Sequence, residues 1–288
     1  MGSISGRTRL AGVMGWPVAH SLSPALHGHW FGCHGVDGAY VPLAVRPEDV
    51  GLAFAALPRL GFLGWNVTIP HKEAAYRLVD ERDAAAGRMR AVNTVLVGEG
   101  GRLLGRNTDG SGFLASLRAQ APGWRPAAGP VALLGTGGGA RAVATALLDA
   151  GVPALRLANR TRERAAALVE ELRPTFAAPV GVVAWGERAA ALDGAALLVN
   201  ATSLGMAGQP PLEVALDDLP PGAVVADIVY VPLETDLLAR ARARGNPVVD
   251  GLGMLLHQAV PGFAHWGGVE PAADAAVRSR LLEALARR

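Results

Sequence analysis

The 288-residue sequence predicts an α/β protein of two domains. Three observations carry this. Short apolar runs alternate with helical segments through the first part of the chain, and again from Val131 onward. Between the two series, RAQAPGWRPAAGP (Arg118–Pro130) is rich in Pro, Gly and Ala and lacks periodicity, as a domain boundary would. Directly after that break, a glycine-rich turn joins a strand to a helix.

The elements follow in order. TRLAGVMG reads as a first strand. SPALHGHWFGCHG reads as a helix with Ser23 as N-cap, Pro24 at its first position and Gly35 near its stop. GAYVPLAV is a second strand and PEDVGLAFAALPRLG a second helix. FLGWNVT is a third strand, and a helix starting at Pro70 runs to about Asp80. AVNTVLV and RLLGRN form a hairpin across GEGG. Strands alternating with helices imply a mostly parallel sheet covered on both faces. After the break come VALL, ARAVATALLDAG, ALRLANR, VGVVAW, AALLVNAT, AVVADIVY and NPVVD, a second α/β series. The helices from Gly253 on have no strand to accompany them and are expected to pack back on another layer.

Composition excludes several classes of function. Half of the residues are hydrophobic, so a sizeable core is available. The 27 basic and 25 acidic side chains nearly balance, and no basic run is interleaved with aromatics, so nucleic acid is not an expected partner. A single Cys33 excludes an intrachain disulfide. No window approaches the ~20 apolar residues of a membrane span. MGSISGRTRLAGVMG lacks the apolar core of a leader, and Gly6 breaks the myristoylation pattern. A soluble, cytoplasmic protein is expected.

VALLGTGGGARA runs strand, tight turn, helix, and Gly135, Gly137 and Ala140 fit the G-x-G-x-x-G/A pattern of a Rossmann-type dinucleotide site. Gly135 permits the turn, Gly137 lets backbone approach a diphosphate, and Ala140 lets the helix sit close to the sheet. The anion then lies at the helix N-terminus. A plain flexible loop is the alternative. About 20 residues on, where an NAD site carries an acid, the chain reads ANRTRER. Asn159 replaces the acid, and Arg160 and Arg162 can bind a 2′-phosphate through charge-assisted hydrogen bonds. NADP(H) is therefore expected over NAD, against the alternative of a solvated basic loop.

A nicotinamide enzyme also needs a proton partner, and the first domain offers candidates. Lys72 falls in the first turn of the helix expected from Pro70. The positive helix end disfavours an ammonium there, which favours proton exchange with a carbonyl or hydroxyl. Asp109 in NTDG precedes the helix SGFLASL, and an N-cap role is its alternative. Ser21 and Ser23 sit at a strand-to-helix crossing, where capping also explains them. Asn93 has a local backbone alternative. His20, His27, His29 and His34 lack the spacing and acidic complement of a metal site, so no metal is expected.

SLSP, NVTIPHK, AVNT, NTDG, GTGGGARA, NRTR, NATSLGM, DIVYVPLET and GMLLHQA occur here in the order found in the shikimate dehydrogenase family, which the chain resembles from Val13 to Trp266. The resemblance implies reversible NADPH-dependent reduction of 3-dehydroshikimate to shikimate. It implies a substrate domain of residues 1–109 plus 252–288, an NADP-binding domain of residues 110–251, and an active site in the cleft between them. It makes Lys72 and Asp109 the catalytic pair, with Asp109 holding and tuning the lysine. Ser21, Ser23 and Tyr230 match the family's carboxylate-binding set, and Thr68, Asn93 and Gln258 its ligands for the ring hydroxyls. Gly135, Gly137, Gly138 and Gly139, with Ala140, match the phosphate turn. Asn159, Arg160, Thr161 and Arg162 match the ribose-phosphate loop. Thr202, Ser203, Met206, Tyr230 and Gly251 match segments on the nicotinamide side.

Three positions depart from the commonest pattern: Gly139 stands where Ala is frequent, Val231 where Asn is frequent, and His71 where an aromatic is frequent. None removes a proposed functional group. Three rivals remain in view. An NAD-dependent quinate/shikimate dehydrogenase is opposed by Asn159 and the two arginines, and a folate-type dehydrogenase by the HSLSP and NTDG sets. A non-catalytic nucleotide sensor would need neither Lys72 nor Asp109. A homodimer is one option for assembly that the sequence does not decide.

Overall fold

The computed structural model describes residues 4–287, so the first three residues of the segment read above as lacking a leader lie outside the described residues. In chain order the elements are β1 (Arg9–Gly15), α1 (Ser23–Cys33), β2 (Gly38–Ala44), α2 (Val50–Ala56), β3 (Phe62–Val67), α3 (Lys72–Leu78), β4 (Glu81–Arg82), α4 (Ala84–Met89), β5 (Thr94–Val97) and β6 (Leu103–Arg106). Then come α5 (Asp109–Gln120), β7 (Val131–Leu134), α6 (Gly138–Asp149), β8 (Leu155–Ala158), α7 (Arg162–Leu172), β9 (Val180–Val183), β10 (Leu197–Asn200), β11 (Val224–Asp227), α8 (Asp236–Ala243), β12 (Val248–Val249), α9 (Gly251–Gly267) and α10 (Ala275–Ala286). The chain divides into two compact units, one of residues up to Thr108 together with those from Leu256 on, the other Asp109–Leu255.

In the first unit six strands lie in the order β2-β1-β3-β5-β6-β4. β1 pairs in parallel with β2 and β3, whereas β5 runs antiparallel to both β3 and β6. The expected hairpin is present, with a short 3-10 turn at Glu99–Gly101 between its strands. One core forms around Trp65, Val67, Phe54 and Val95. A second is aromatic: His27, Trp30 and Phe31 of α1 meet Phe263 of α9, and Trp266 packs on His27 and Tyr40. The terminal helices thus pack on the layer formed by α1, and the Trp30 indole N–H donates to Ala272 O at 3.2 Å.

Several helix starts differ from expectation: α5 opens at Asp109 itself rather than after it, and α9 at Gly251 rather than Gly253. Ser23 is the first residue of α1 rather than its N-cap. Leu22 occupies the cap position, and Ser21 Oγ accepts the Ser23 N–H at 3.2 Å, so the residue upstream does the capping. Pro70 does not open α3. Thr68–His71 close a turn, with the His71 N–H donating to Thr68 O at 2.9 Å, and the helix begins at Lys72. The short β4 and α4 were not expected at all. In α4, Asp83 caps the Ala86 N–H at 2.7 Å, a capping signal buried in the alanine-rich run ERDAAAGRM.

In the second unit six strands are all parallel, in the order β12-β11-β10-β7-β8-β9. The first strand, β7, is therefore central, and the chain reverses direction of growth between β7 and β10. That is the doubly wound arrangement, whose ligands bind beyond the strand ends at the switch point. Both faces are covered. Val131 and Leu133 of β7 enter one core, Ala132 and Leu134 the other, as strand alternation dictates.

Candidate active site

In the first unit the candidate polar residues gather where β1 and β3 end. The Thr68 N–H donates to Met14 O at 2.8 Å and the Trp16 N–H to Ile69 O at 3.0 Å, so the segments leaving the two strands run side by side. One leads to Ser21 and Ser23, the other to Thr68 and Lys72. Gly15 has to be glycine here: a Cβ would lie 2.4 Å from the Thr68 methyl. Asn93 joins through the neighbouring strand, with the Val67 N–H donating to Asn93 O at 2.7 Å. The Val92 N–H donates to Lys72 O at 2.9 Å, tying α3 to the same place. The Lys72 side chain is half-buried.

A buried hydrogen-bond network orients this set. Asn93 Nδ2 donates to Thr108 Oγ1 at 3.0 Å and to Gln258 Oε1 at 3.3 Å. Asn93 Oδ1 accepts the Thr108 N–H at 2.9 Å and the Thr94 hydroxyl at 3.0 Å. Thr108 Oγ1 donates to Gln258 O at 2.8 Å, which fixes α9 to the network. Behind these, Asn66 Nδ2 donates to Thr94 Oγ1 at 3.0 Å, and Asn66 Oδ1 accepts the Tyr40 hydroxyl at 2.6 Å. A satisfied buried network of this kind holds amides in one orientation. Sequence reading chose Asn93 and Gln258 but missed Tyr40, Asn66, Thr94 and Thr108. Asn66 left a trace, since it alternates onto the same side of β3 as Thr68.

His27 lies at the deep end, stacked on Tyr40 with ring centroids 4.0 Å apart. It is fully buried, and neither ring nitrogen makes a hydrogen bond. Burial lowers its pKa to about 3, with the nearby Asn66 side chain opposing weakly, so the ring is neutral and apolar in character. His29 instead flanks the exposed Cys33, with Nε2 3.4 Å from Sγ. Among the described residues no three His, Cys, Asp or Glu side chains group as metal ligands.

The other unit carries the glycine turn at its switch point. Gly135 follows β7 with φ +107°, and a Cβ there would lie 2.8 Å from Ala201 O, just beyond β10. Only glycine fits this conformation and this approach. Gly137 is the N-cap of α6, and Gly138, Gly139 and Ala140 form its first turn. The first N–H groups of a helix lack intrahelical partners, no side chain caps this one, and a Cβ at Gly137 would meet nothing within 4 Å. That cradle fits a diphosphate. At Gly139 a Cβ would meet only the movable Ile228 Cδ1, at 2.9 Å, which explains why Gly and Ala both suit the position. After β8, Asn159 Nδ2 donates to Thr161 O at 2.8 Å and shapes the loop. Arg160 and Arg162 are exposed there, and among the described residues neither pairs with a carboxylate. These donors fit a 2′-phosphate and would repel nothing on it.

Beyond β10 the Thr202 hydroxyl donates to Asn200 Oδ1 at 2.7 Å, with Ser203 exposed and Met206 38% exposed. Tyr230 lies beyond β11, and Gly251 opens α9 under Ile228, whose O would lie 2.4 Å from a Cβ at 251. Asp109, the first residue of α5, is buried and directly follows Thr108 in the chain. Asn200, Asp227 and Thr235 form a buried cluster that sequence reading did not single out. Burial raises the Asp227 pKa to about 6, against hydrogen bonds from Val229, Asn200 and Thr235 that lower it.

Comparison with known proteins adds independent findings. Residues 13–95 match the family model described as the shikimate dehydrogenase substrate binding domain. A shikimate dehydrogenase (NADP(+)) from Paramagnetospirillum magneticum is 60% identical over 279 residues, covering 97% of this chain and 100% of the relative. The structure of a Thermus thermophilus shikimate 5-dehydrogenase in complex with NADP(H) and shikimate superposes with a TM-score of 0.84 at 37% identity, covering 97% of this chain and 99% of that one. A Corynebacterium glutamicum quinate dehydrogenase in complex with NAD superposes with a TM-score of 0.89 at 33% identity, covering 96% and 99%.

Proposed function

The chain belongs to the shikimate dehydrogenase family, and from that premise we infer how its own residues carry the reaction. It is an NADP-dependent oxidoreductase that reversibly reduces 3-dehydroshikimate to shikimate, a step toward chorismate and the aromatic amino acids. Bound NADPH supplies the hydride. The protein supplies everything else: it orients the ketone, delivers a proton to its oxygen and holds the ring.

Lys72 is proposed as the acid that protonates the ketone oxygen as the carbonyl carbon becomes CH–OH, and as the base in the reverse direction. Composition supports an amine at this position. The chain has 26 arginines and one lysine, and the lysine is residue 72. A guanidinium does not release its proton in a protein, whereas an ammonium can. We propose Asp109 as the partner that holds this amine. Asn93 and Gln258, oriented by the Thr108 network, and Thr68 are proposed to bind the ring hydroxyls. Ser21, Ser23 and Tyr230 are proposed for the substrate carboxylate, where neutral hydroxyls avoid burying an unpaired cation.

The nucleotide is proposed to lie along Gly135–Ala140, with Asn159, Arg160, Thr161 and Arg162 at its 2′-phosphate and Thr202, Ser203, Met206, Tyr230 and Gly251 toward its nicotinamide. In this reading residues 1–109 with 252–288 hold substrate and 110–251 hold NADP(H). No helix among the described residues is long and apolar enough to cross a membrane. A cytoplasmic location and a homodimer are proposed with the reading; sedimentation velocity tests the dimer.

The observation that carries the reading is that the segments leaving β1 and β3 bring hydroxyl and amide side chains and the one lysine to the same end of the sheet, in a chain whose other unit has the glycine turn at its switch point. Initial rates with shikimate and quinate, each with NADP⁺ and NAD⁺, test it. Turnover of shikimate with a preference for NADP⁺ is expected. A clear preference for quinate with NAD⁺ would replace it with the activity of the quinate dehydrogenase relative.

A further inference from the structure

We infer that Asp227 is a positioning residue for the reaction: its carboxylate fixes two nucleotide-side segments, those after β10 and β11, against each other. This rests on the dehydrogenase reading above, because those segments carry Thr202, Ser203, Met206 and Tyr230.

The geometry begins in the sheet. Asn200 and Asp227 are register partners at the ends of the parallel strands β10 and β11, and both are buried. Asn200 Nδ2 donates to Asp227 Oδ1 and to Leu204 O, each at 3.0 Å. Asn200 Oδ1 accepts the Thr202 N–H at 3.0 Å, and Thr202 Oγ1 in turn accepts the Leu204 N–H at 3.0 Å. The turn around Thr202 is therefore closed on Asn200, and Asn200 is held by Asp227.

The same carboxylate holds the other segment. Asp227 Oδ1 accepts the Val229 N–H at 2.9 Å, and Oδ2 accepts the Thr235 hydroxyl at 2.8 Å. Thr235 is the N-cap of α8, so the loop bearing Tyr230 is pinned at both ends. A main-chain bond from the Ala207 N–H to Val231 O, at 2.8 Å, joins the two segments a second time.

Fold stability alone does not call for a charge here. Among the described residues no cation pairs with Asp227, and burying an unpaired carboxylate is costly. What a carboxylate offers is several acceptor sites on one small group, used here by donors from two separate segments. Ile228, the next residue, lies between Gly139 and Gly251, so the segment that Asp227 anchors also borders the phosphate turn.

The test uses the full chain with Asp227→Ala, Asp227→Asn and Thr235→Val. Three quantities are read: kcat at saturating NADPH and 3-dehydroshikimate, the Kd of adenosine 2′,5′-bisphosphate, and the thermal midpoint. That probe occupies the adenosine end and never reaches the nicotinamide segments. Asp227→Ala is expected to lower kcat roughly 10–100-fold, the scale of a misaligned reacting group, with bisphosphate affinity within about twofold of wild type. Asp227→Asn is expected to restore kcat to within about threefold, because its amide oxygen still accepts from Asn200 and Val229 and its Nδ2 can donate to Thr235. Should Asp227→Ala fail to fold, Thr235→Val reads the same tie and is expected to lower kcat with bisphosphate affinity kept. Unchanged kcat in the folded variants, or parallel loss of kcat and bisphosphate affinity, overturns the inference. A wild-type chain with no NADPH-dependent turnover overturns the dehydrogenase reading and this inference with it. An active wild type beside an equally active Asp227→Ala overturns the inference alone.

Discussion

His27 and Asp227 are buried ionisable groups whose effects on stability run in opposite directions with pH. His27 is neutral in the fold, its pKa lowered to about 3, whereas the unfolded chain binds a proton below about 6.5. Its stabilising contribution is present above pH 6.5 and is lost as pH falls. Asp227 has its pKa raised to about 6, so the fold binds a proton more tightly than the unfolded chain between about pH 4 and 6. Its carboxylate therefore costs stability as pH rises through that range. Going from pH 7.5 to 5, the His27 term alone removes about 2 kcal/mol, and the Asp227 term returns about 1 kcal/mol. His27→Phe should gain stability relative to wild type over this change, and Asp227→Asn should lose it. Urea midpoints at the two pH values measure both, and equal shifts in all three proteins would refute the assignment. Arg160 and Arg162 predict a separate effect on cofactor choice. Removing either should raise KM for NADPH about 10–100-fold, the worth of a charge-assisted bond, with KM for NADH nearly unchanged. Parallel losses with both cofactors would place the arginines elsewhere than at the 2′-phosphate.

At the scale of elements, the switch point between β7 and β10 makes the sharpest claim. Gly135→Ala puts a Cβ against Ala201 O in a left-handed conformation, so no rotamer relieves it. Loss of roughly 1–3 kcal/mol in stability and of NADP⁺ affinity is expected, read by thermal melts with and without the nucleotide. A variant that melts and binds like wild type would contradict the packing described. This element was legible in the sequence because one short run had to satisfy a strand, a turn and a helix start together. Lys72 was chosen from the sequence as a candidate site residue, but its helix was not drawn correctly. Pro70 is a good first helical residue on local grounds, yet the Thr68–His71 turn takes its place and α3 starts two residues later. Ser23 misled in the same way, because its N–H is met two residues upstream by the Ser21 hydroxyl. The network behind the site was harder still to read. Asn66, Thr94 and Thr108 bind one another across β3, β5 and the end of β6, and no local pattern encodes a contact between strands distant in sequence. Asp227 ends an apolar run, AVVAD, where it resembles an ordinary polar strand terminus until Asn200 is placed beside it.

For the whole molecule, the two units bring different chemistry: one has hydroxyl and amide side chains at the end of the sheet where Lys72 opens α3, and the other has a glycine turn at the switch point of a parallel sheet. The division was visible in the sequence as the break at Arg118–Pro130, although the chain passes between compact units at Thr108–Asp109, before that break. Charge usage across the chain points to the reacting group. Arginine serves at 26 positions, including the surface ion pairs of Arg173 with Glu170 and Arg240 with Asp236, and lysine at one. A solvated surface charge tolerates either residue, whereas a proton donor does not. The central claim is that Lys72 transfers a proton and does more than place a positive charge. The direct measurement is kcat of Lys72→Arg for 3-dehydroshikimate and NADPH, beside Lys72→Ala. Both variants should lose roughly 10²–10⁴-fold in kcat with milder loss of substrate binding, since the guanidinium keeps the charge but withholds the proton. A Lys72→Arg enzyme with kcat near wild type would contradict the account.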